Sequence, residues 1–565
     1  MNSFVAMNKF QNAPFNLFAK VISIIFAIIL LFIDSNAETM IFKLRSSGPP
    51  LPAGSRLGDK VSSHHLVVEH LMNKATISQA GFISRLDELS QFGEIDSYKR
   101  LWIINAVVVT ADHGVLEGLK GHPDVEYAFE NVPVELVAPV ESRDVPPVNS
   151  GHEPGLGVIG APAVWAMGID GTGSIVCNFD TGVDVDHPAL YYKYRGNNGA
   201  PPNECWFDPA GYEEQRPYDL QGHGTHTMGI MVGSDGPDTI GVAPGAQWIA
   251  ARAIGGGGIL RTISDLLGAF QWAADPDCNP ATTHDVPDVV NNSWGIPAGY
   301  FPACDQTFWE AIDNLEAAGV VAVFGGGNEG PGAETMRTPA DRITSAFNSF
   351  SVGAVSTIGD TFIVADFSSR GPSGCDHTTI KPEITAPGVA IRSSYLDSGY
   401  IALSGTSMAT PHVAGAVALL RQVNPNATPE EIKAALLNSA VDYGPQGEDN
   451  SYGWGVIDIW TAVYLLPGST PAVDNRLPVI SGILTNYPNP FNGATTITFD
   501  PRVRSGEMID IYDITGRVVR HLRITGGGSV VWDGSNDRGR LVSTGIYFAR
   551  LEALSSISRK MLIVK

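Results

Sequence analysis

Apolar positions change their spacing from one stretch of the chain to the next, and the changes mark out three regions. In the first, residues 40–135, "MIFKL" reads as a strand. "ISQAGFISRLDELSQF" carries Ile77, Phe82, Ile83, Leu86 and Leu89 at helical spacing. "SYKRLWIINAVVV" is strand-like and long enough for two half-strands with a bend. "DHGVLEGLKGH" opens on Asp112, a candidate helix cap, and "DVEYAFENVPVEL" closes as a strand. The order strand-helix-strand-strand-helix-strand predicts a small α+β ferredoxin-like sandwich. "PVESRDVPPVNSGHEPGLG", rich in Pro and Gly, predicts an exposed linker.

Residues 150–465 follow a different pattern. "GSIVCNFD", "QWIAARAI", "DVVNNSW", "GVVAVFGGG" and "FNSFSVGAV" are continuous apolar runs, separated by helical stretches such as "ISDLLGAFQWAA" and "TFWEAIDNLEAAG". Strands apolar on both sides need cover on both sides, so the pattern predicts an α/β domain, a parallel sheet with helices on both faces. Functional loops are then expected at the carboxyl ends of the strands. After a second linker, Leu466 to Gly482, six short alternating strands predict a small all-β Ig-like sandwich. The expected divisions are a leader at 1–37, an N-terminal unit at 38–147, a central domain at 148–465, a linker at 466–482 and a C-terminal sandwich at 483–565.

Charge narrows the partners. Lys+Arg number 36 against 59 Asp+Glu, a net charge of −23, which argues against nucleic acid as a partner because phosphate binding needs a basic surface. The N-terminus narrows the compartment. Lys9 and Lys20 precede the apolar run Val21 to Ile33, no acidic residue comes before Asp34, and Ser35-Asn36-Ala37 supplies small residues for cleavage after Ala37. This is the pattern of a secretory signal peptide, and the run is short for the alternative of an uncleaved anchor. In an oxidising compartment the five cysteines allow at most two internal disulfides. Cys177 lies in an apolar strand and is expected to be free; Cys278 and Cys304 flank one loop-rich segment and are candidates to pair.

Four stretches of the central domain carry chemistry. Asp180 ends a buried strand in "IVCNFDTGVD", where its ordinary role is that of a turn residue. His223 opens an apolar helix in "GHGTHTMGIMVG", where it reads as a helix-start residue or a metal ligand with His226. Ser407 stands in "ALSGTSMATPHVAG" beside the positive end of a buried helix, with Pro411 expected in the first turn; alone it reads as a cap. Together the three make a nucleophile, a base for its proton and a carboxylate to hold the base. Asn328 in "VVAVFGGGNEGPG" completes the set. Its amide and the Ser407 N–H would donate to the oxyanion of a tetrahedral intermediate, although an asparagine among glycines is ordinarily a left-handed turn residue.

"FDTGVD", "GHGTHTMG", "GGGNEGP" and "LSGTSMATPHVAG" closely resemble, in family order, the motifs of the subtilisin-like serine proteases, the subtilases. The resemblance covers about Gly151 to Leu465. It implies a seven-stranded parallel sheet, endopeptidase activity on protein or peptide substrates, Asp180, His223 and Ser407 as the triad, and Asn328 as oxyanion donor. "NNSWG" resembles the segment that pairs with substrate, so Ser293, Trp294 and Gly295 would add a β-strand partner and line the first specificity pocket opposite Gly325, Gly326 and Gly327. Trp294 is similar to the bacillopeptidase F-like branch; its ordinary role is that of a core aromatic. The glycine run before Asn328 departs from the family pattern, and more glycine means a looser loop.

The first region looks like the propeptide of this family, an intramolecular inhibitor and folding aid, with self-cleavage expected at about Val140 to Gly151. The resemblance requires no cofactor for the chemistry. Structural calcium is a family expectation that "VGSDGPDTIG" does not fix to a site, and "DGSNDRG" reads as a hairpin turn. A monomer is expected. "NYPNPFNGATTITFD", "DIYDITGRVVRHL", "VVWDGSNDRGRLVSTGIYFARL" and "SRKMLIVK" look like the C-terminal sorting domain of the type IX secretion pathway, whose machinery would carry the protein through the periplasm to the surface or the medium. The alternative there is an accessory Ig-like domain. Against the protease stand an inactive subtilase-fold binding protein, which predicts a broken triad, and a lipase-like hydrolase, which predicts G-x-S-x-G and the order Ser…Asp…His.

Overall fold

The computed structural model describes residues 37–46, 60–144 and 151–468, apart from 212–214, 257–259, 297–300, 302–303 and 345–348 and 359–360. In the C-terminal part it describes 484–487, 489, 491–499, 508–514, 517–524, 529–551 and 558–564. Residues 1–36 of the expected leader and 469–482 of the second linker lie outside these residues, as do 145–150 of the first; the rest of the first linker is structured, with a strand at Glu141–Asp144 and a short helix at Pro154–Val158 that buries Leu156. The chain forms two compact units, Met1–Pro471 and Ala472–Lys565.

The N-terminal strands Ile95–Leu101, Ala106–Asp112, Ala37–Leu44 and Val125–Glu130 lie side by side in that order, each pair antiparallel. Phe42, Val107 and Val109 on the sheet meet Phe82, Leu86 and Leu89 of the helix Lys60–Gln91. That helix begins well before the expected stretch. Its first turns bury Val67, Val68 and Leu71 against Ala317 and Ala318 of the central domain, so their apolar face answers to a partner distant in sequence. Polar contacts reinforce this junction. Lys60 pairs with Asp288 at 2.6 Å, His64 Nε2 reaches the Ala274 carbonyl at 2.7 Å, Asn314 donates to the Ile103 carbonyl at 2.6 Å, and Lys43 pairs with Glu310.

Among the described residues the central sheet has eight strands. Thr361–Val364, Phe350–Ile358, Val321–Gly325, Val289–Asn292, Ile175–Phe179, Gln247–Ala251 and Trp206–Phe207 follow one another, and Ile384–Pro387 also pairs with Phe350–Ile358. All pairs are parallel except the edge hairpin of Phe350–Ile358 with Thr361–Val364. Successive strand residues face opposite ways. Asn178 reaches Thr227 on the helix His223–Val232, and Phe179 packs edge-on against Phe270 on the helix Ile263–Ala274, so helices cover both faces. This double cover is why the strands read as mainly apolar runs.

The cysteines correct one expectation. Cys304 is bonded to Cys375, 71 residues away, and Cys278 is an exposed thiol; Cys177 is buried and free as expected, as is Cys205. Among its described residues the C-terminal unit has seven strands in two antiparallel sheets, one more than expected because Leu484–Tyr487 pairs with Thr495–Phe499. Ile497, Ile509, Ile511, Trp532, Ala549 and Met561 form its core. In "DGSNDRG" the chain turns back, Asn536 N donating to the Arg540 carbonyl at 2.9 Å.

Candidate active site

Asp180 follows the strand Ile175–Phe179, so its buried carboxylate stands at the carboxyl end of the sheet. His223 is the first residue of the helix His223–Val232. The two can meet because Gly224 has no side chain: a Cβ there would lie 2.0 Å from the Gly182 carbonyl oxygen and 3.1 Å from Asp180 Cβ. His223 Nδ1 lies 2.8 Å from Asp180 Oδ1. A carboxylate only accepts, so Nδ1 carries a proton. Nε2 is buried and without a hydrogen-bond partner. His226, the alternative metal partner, is committed elsewhere. Its Nε2 faces the Ile391 and Ile401 carbonyls at 3.1 Å each, and burial pushes its pKa down to about 3.

Ser407 is the second residue of the buried helix Thr406–Val423, which packs on the His223 helix. Gly405 is its N-cap. Pro411 lies in the second turn, deeper than expected. Having no N–H, it leaves the carbonyl of Ser407, four residues earlier, without its helical bond. Ser293 Oγ donates to that carbonyl at 3.1 Å.

Asn328 lies just beyond the strand Val321–Gly325. Its Oδ1 accepts from Thr406 N at 2.9 Å and from Thr406 Oγ1 at 3.0 Å, which turns Nδ2 into the cleft. A Cβ on Gly405 would lie 3.1 Å from both Asn328 Nδ2 and Ser407 Oγ, so the amide and the hydroxyl flank one small space. The glycine run is not loose. Gly326 N donates to the Val352 carbonyl and the Gly327 carbonyl accepts from Ser369 N, both at 3.0 Å. Gly327 has φ +116°, and a Cβ there would lie 2.6 Å from Glu329 Oε2.

A segment of the chain itself lies in this cleft. Leu136 and Trp294 form an antiparallel bridge. Gly295 N donates to the Glu135 carbonyl and Val137 N to the Ser293 carbonyl, both at 3.3 Å. The Ser407 hydroxyl donates to the Val137 carbonyl at 2.9 Å, in place of a bond to His223, and Asn328 Nδ2 donates to the Ala138 carbonyl at 2.8 Å. Beyond the cleft, Glu141–Asp144 pairs antiparallel with Tyr400–Ser404. Main-chain groups of Ser293 and Gly295, on either side of Trp294, thus receive an extended peptide. The Trp294 side chain does not line the pocket as expected. It is fully buried among Phe270, Phe308 and Phe324, with Nε1 donating to Asn292 Oδ1 at 3.0 Å.

Residues 171–455 match the Subtilase family. The chain belongs to this family of serine endopeptidases. It is 37% identical over 423 residues to bacillopeptidase F of Bacillus subtilis, a match covering 70% of this chain and 28% of that protein, so it spans under a third of that relative's length. It is 29% identical over 395 residues to subtilisin E of the same organism, covering 69% of this chain and 88% of the relative. To subtilisin Savinase of Lederbergia lenta it is 32% identical over 305 residues, covering 54% of this chain and 96% of the relative. Residues 485–565 match a secretion system C-terminal sorting domain, the mark of an exported or surface protein.

Around the four subtilase motif residues lies a polar scaffold that motif reading passed over. Asp180 Oδ2 accepts from Thr227 Oγ1 at 3.2 Å, Asn178 Nδ2 donates to Thr227 Oγ1 at 2.9 Å, and Asn291 Nδ2 donates to Asn178 Oδ1 at 2.9 Å and to Ser293 Oγ at 3.0 Å. Through Ser293 this buried chain ends on the Ser407 carbonyl, so the Asp180 carboxylate and the Ser407 backbone hang on one frame. The signal was present in the sequence: Asn178, and Asn291 beside Asn292, are polar residues at the ends of apolar strands, where a buried amide must find partners. Among the described residues, Glu204, Asp277 and His284 are spaced for a metal, their ligand atoms within 4.8 Å of one another; His284 Nε2 already faces Glu204 Oε2 at 3.4 Å.

Proposed function

We propose that this subtilase is a secreted serine endopeptidase made as a self-processed zymogen, with Asp180, His223 and Ser407 as its triad and Asn328 as oxyanion donor. The observations that carry the reading are the Val137 carbonyl on the Ser407 hydroxyl and, on the helix packed against that of Ser407, an imidazole whose Nδ1 is held by Asp180 and whose buried Nε2 has no partner.

In the reaction, His223 Nε2 accepts the Ser407 proton as Oγ attacks the carbonyl carbon. Asp180 stabilises the imidazolium. Asn328 Nδ2 and the Ser407 N–H, at an open helix N-terminus, donate to the oxyanion. His223 then protonates the departing amine, and a water activated by the same imidazole releases the acyl group. These residues supply base, electrophile and orientation, so the chemistry calls for no cofactor.

Residues 38–147 act in this reading as inhibitor and folding aid, and the docking of the N-terminal sheet and helix on the central domain supports that role. The Ser407 hydroxyl on the Val137 carbonyl and the pairing of Val137 N with the Ser293 carbonyl favour the Val137–Ala138 bond for self-cleavage, upstream of the Val140–Gly151 window expected from the linker; Asn328 Nδ2, which rests on the next carbonyl, that of Ala138, would have to move onto the Val137 oxygen as the oxyanion forms. Other protein substrates would bind in the same extended form, to a monomeric enzyme. The C-terminal sandwich would engage the type IX machinery.

The test is to express the full chain and its Ser407→Ala variant, label both with a small fluorophosphonate, and sequence the N-termini. The wild type should carry label on Ser407 and yield a chain beginning at Ala138; the variant should stay unlabelled and uncut. Normal maturation of the variant would defeat self-processing. Casein hydrolysis unaffected by the substitution would defeat the triad.

A further inference from the structure

The segment in the cleft identifies the side chain that a specificity pocket receives. Val137 supplies the carbonyl that meets Ser407, and its N–H bonds to the Ser293 carbonyl, so Val137 holds the place of P1, the residue on the acyl side of the cut bond. Its side chain is fully buried.

Glycines at 295 and 325–327 suggest an open slot for a large apolar side chain, but an arginine occupies part of that space. A Cβ on Gly295 would lie 2.9 Å from Arg337 Cβ and 3.2 Å from its Cδ, and a Cβ on Gly327 would lie 3.0 Å from Arg337 Cγ. The Arg337 stem therefore runs between the two glycine walls. Its head is fixed at both ends. Nε donates to Glu329 Oε1 at 3.0 Å, and Nη1 donates to the Leu136 carbonyl at 3.3 Å and to the Gly295 carbonyl at 3.4 Å. The Arg337 side chain is 11% exposed, so swinging it out to admit a larger group would break the Glu329 pair and uncover an apolar stem.

We propose that Arg337 sets the specificity of the peptidase by shortening the P1 pocket, so that it accepts alanine or a β-branched residue such as valine and rejects aromatic residues. The Nη1 contact adds a handle on the carbonyl before P1, which every peptide possesses and which does not discriminate between side chains. The proposal rests on the protease reading above and extends it to substrate class.

The test is a matched set of p-nitroanilide peptides differing only at P1, with Ala, Val, Leu, Phe or Glu, cut by the processed enzyme and by its Arg337→Ala variant. The wild type should favour Ala and Val over Phe by tenfold or more in kcat/KM. Arg337→Ala should raise kcat/KM for Phe at least tenfold while Val changes little or falls, inverting the order. Mass-spectrometric mapping of wild-type cuts in denatured casein gives the same preference without any substitution, should the variant fail to fold. A wild-type preference for aromatic P1 overturns the proposal. So does a preference for Glu, which would make Arg337 a charge partner for substrate, or an unchanged order in an active variant. Fluorophosphonate labelling separates two kinds of failure: an unlabelled enzyme inert on every peptide sinks the protease reading, whereas a labelled enzyme with the wrong preference sinks this proposal alone.

Discussion

Ser293 Oγ donates to the main-chain carbonyl of Ser407 at 3.1 Å, taking up the acceptor that Pro411 leaves open in the helix. A proline inside a helix ordinarily costs about 3 kcal/mol. Here part of that cost is offset because the freed carbonyl is buried and paired. Replacing Ser293 by Ala strands this carbonyl and removes one of the two acceptors of Asn291 Nδ2. Unfolding of Ser293→Ala in a Ser407→Ala background, followed in urea to avoid self-digestion, should show a loss of about 1–3 kcal/mol. A loss below about 0.5 kcal/mol, the range of an ordinary surface substitution, would mean that the frame contributes little.

Thr406 turns Asn328 toward the cleft with two bonds to Oδ1. Thr406→Val keeps the N–H and loses the hydroxyl. It should lower kcat by about tenfold with KM little changed, because positioning an oxyanion donor matters in the transition state. Asn328→Ala should cost more, about 3 kcal/mol, the magnitude known for the oxyanion asparagine of a subtilisin. Steady-state kinetics on one good peptide checks both; equal losses in the two variants would contradict the hierarchy.

Acid should destabilise the fold through two histidines near the site. Burial pushes His226 down to about 3 and His412 to about 4, from an ordinary 6.5. The folded state therefore binds fewer protons than the unfolded one. Their contribution is complete above the unfolded value and is lost as the pH falls from 6.5 toward the folded values. By pH 5 the loss should be about 2 kcal/mol per histidine. Calorimetry of the Ser407→Ala protein from pH 7.5 to 5 should show a falling Tm, with a shallower slope in His412→Gln. A flat profile would contradict the burial of both rings as neutral bases.

Deleting residues 484–565 should leave peptidase activity intact, since they lie in the separate unit Ala472–Lys565. It should strand the enzyme in the periplasm of a host with type IX secretion. Fractionation and zymography measure this; normal release of the truncated protein would reject the sorting role.

The α/β core was legible because both faces of each central strand are covered, so burial is written as mainly apolar runs. The four motifs were legible because each couples a reactive side chain to a fixed turn or helix start. Three features were not. The first turns of the helix Lys60–Gln91 pack on Ala317 and Ala318, and periodicity does not name a partner so far away. Cys304 pairs with Cys375 across 71 residues, where nearness along the chain had favoured Cys278. The indole of Trp294 turns into the core while its backbone faces the cleft, a choice of side-chain direction made by Phe270, Phe308 and Phe324.

Glu141–Asp144, downstream of the segment that meets Ser407, is zipped to Tyr400–Ser404. One hydrolysis at the serine would therefore leave both new ends tied down, the upstream end by a docked subdomain and the downstream end by a sheet edge. Scission and opening become separate events, and the delay before the enzyme can attack a foreign chain is governed by how fast a severed strand peels away.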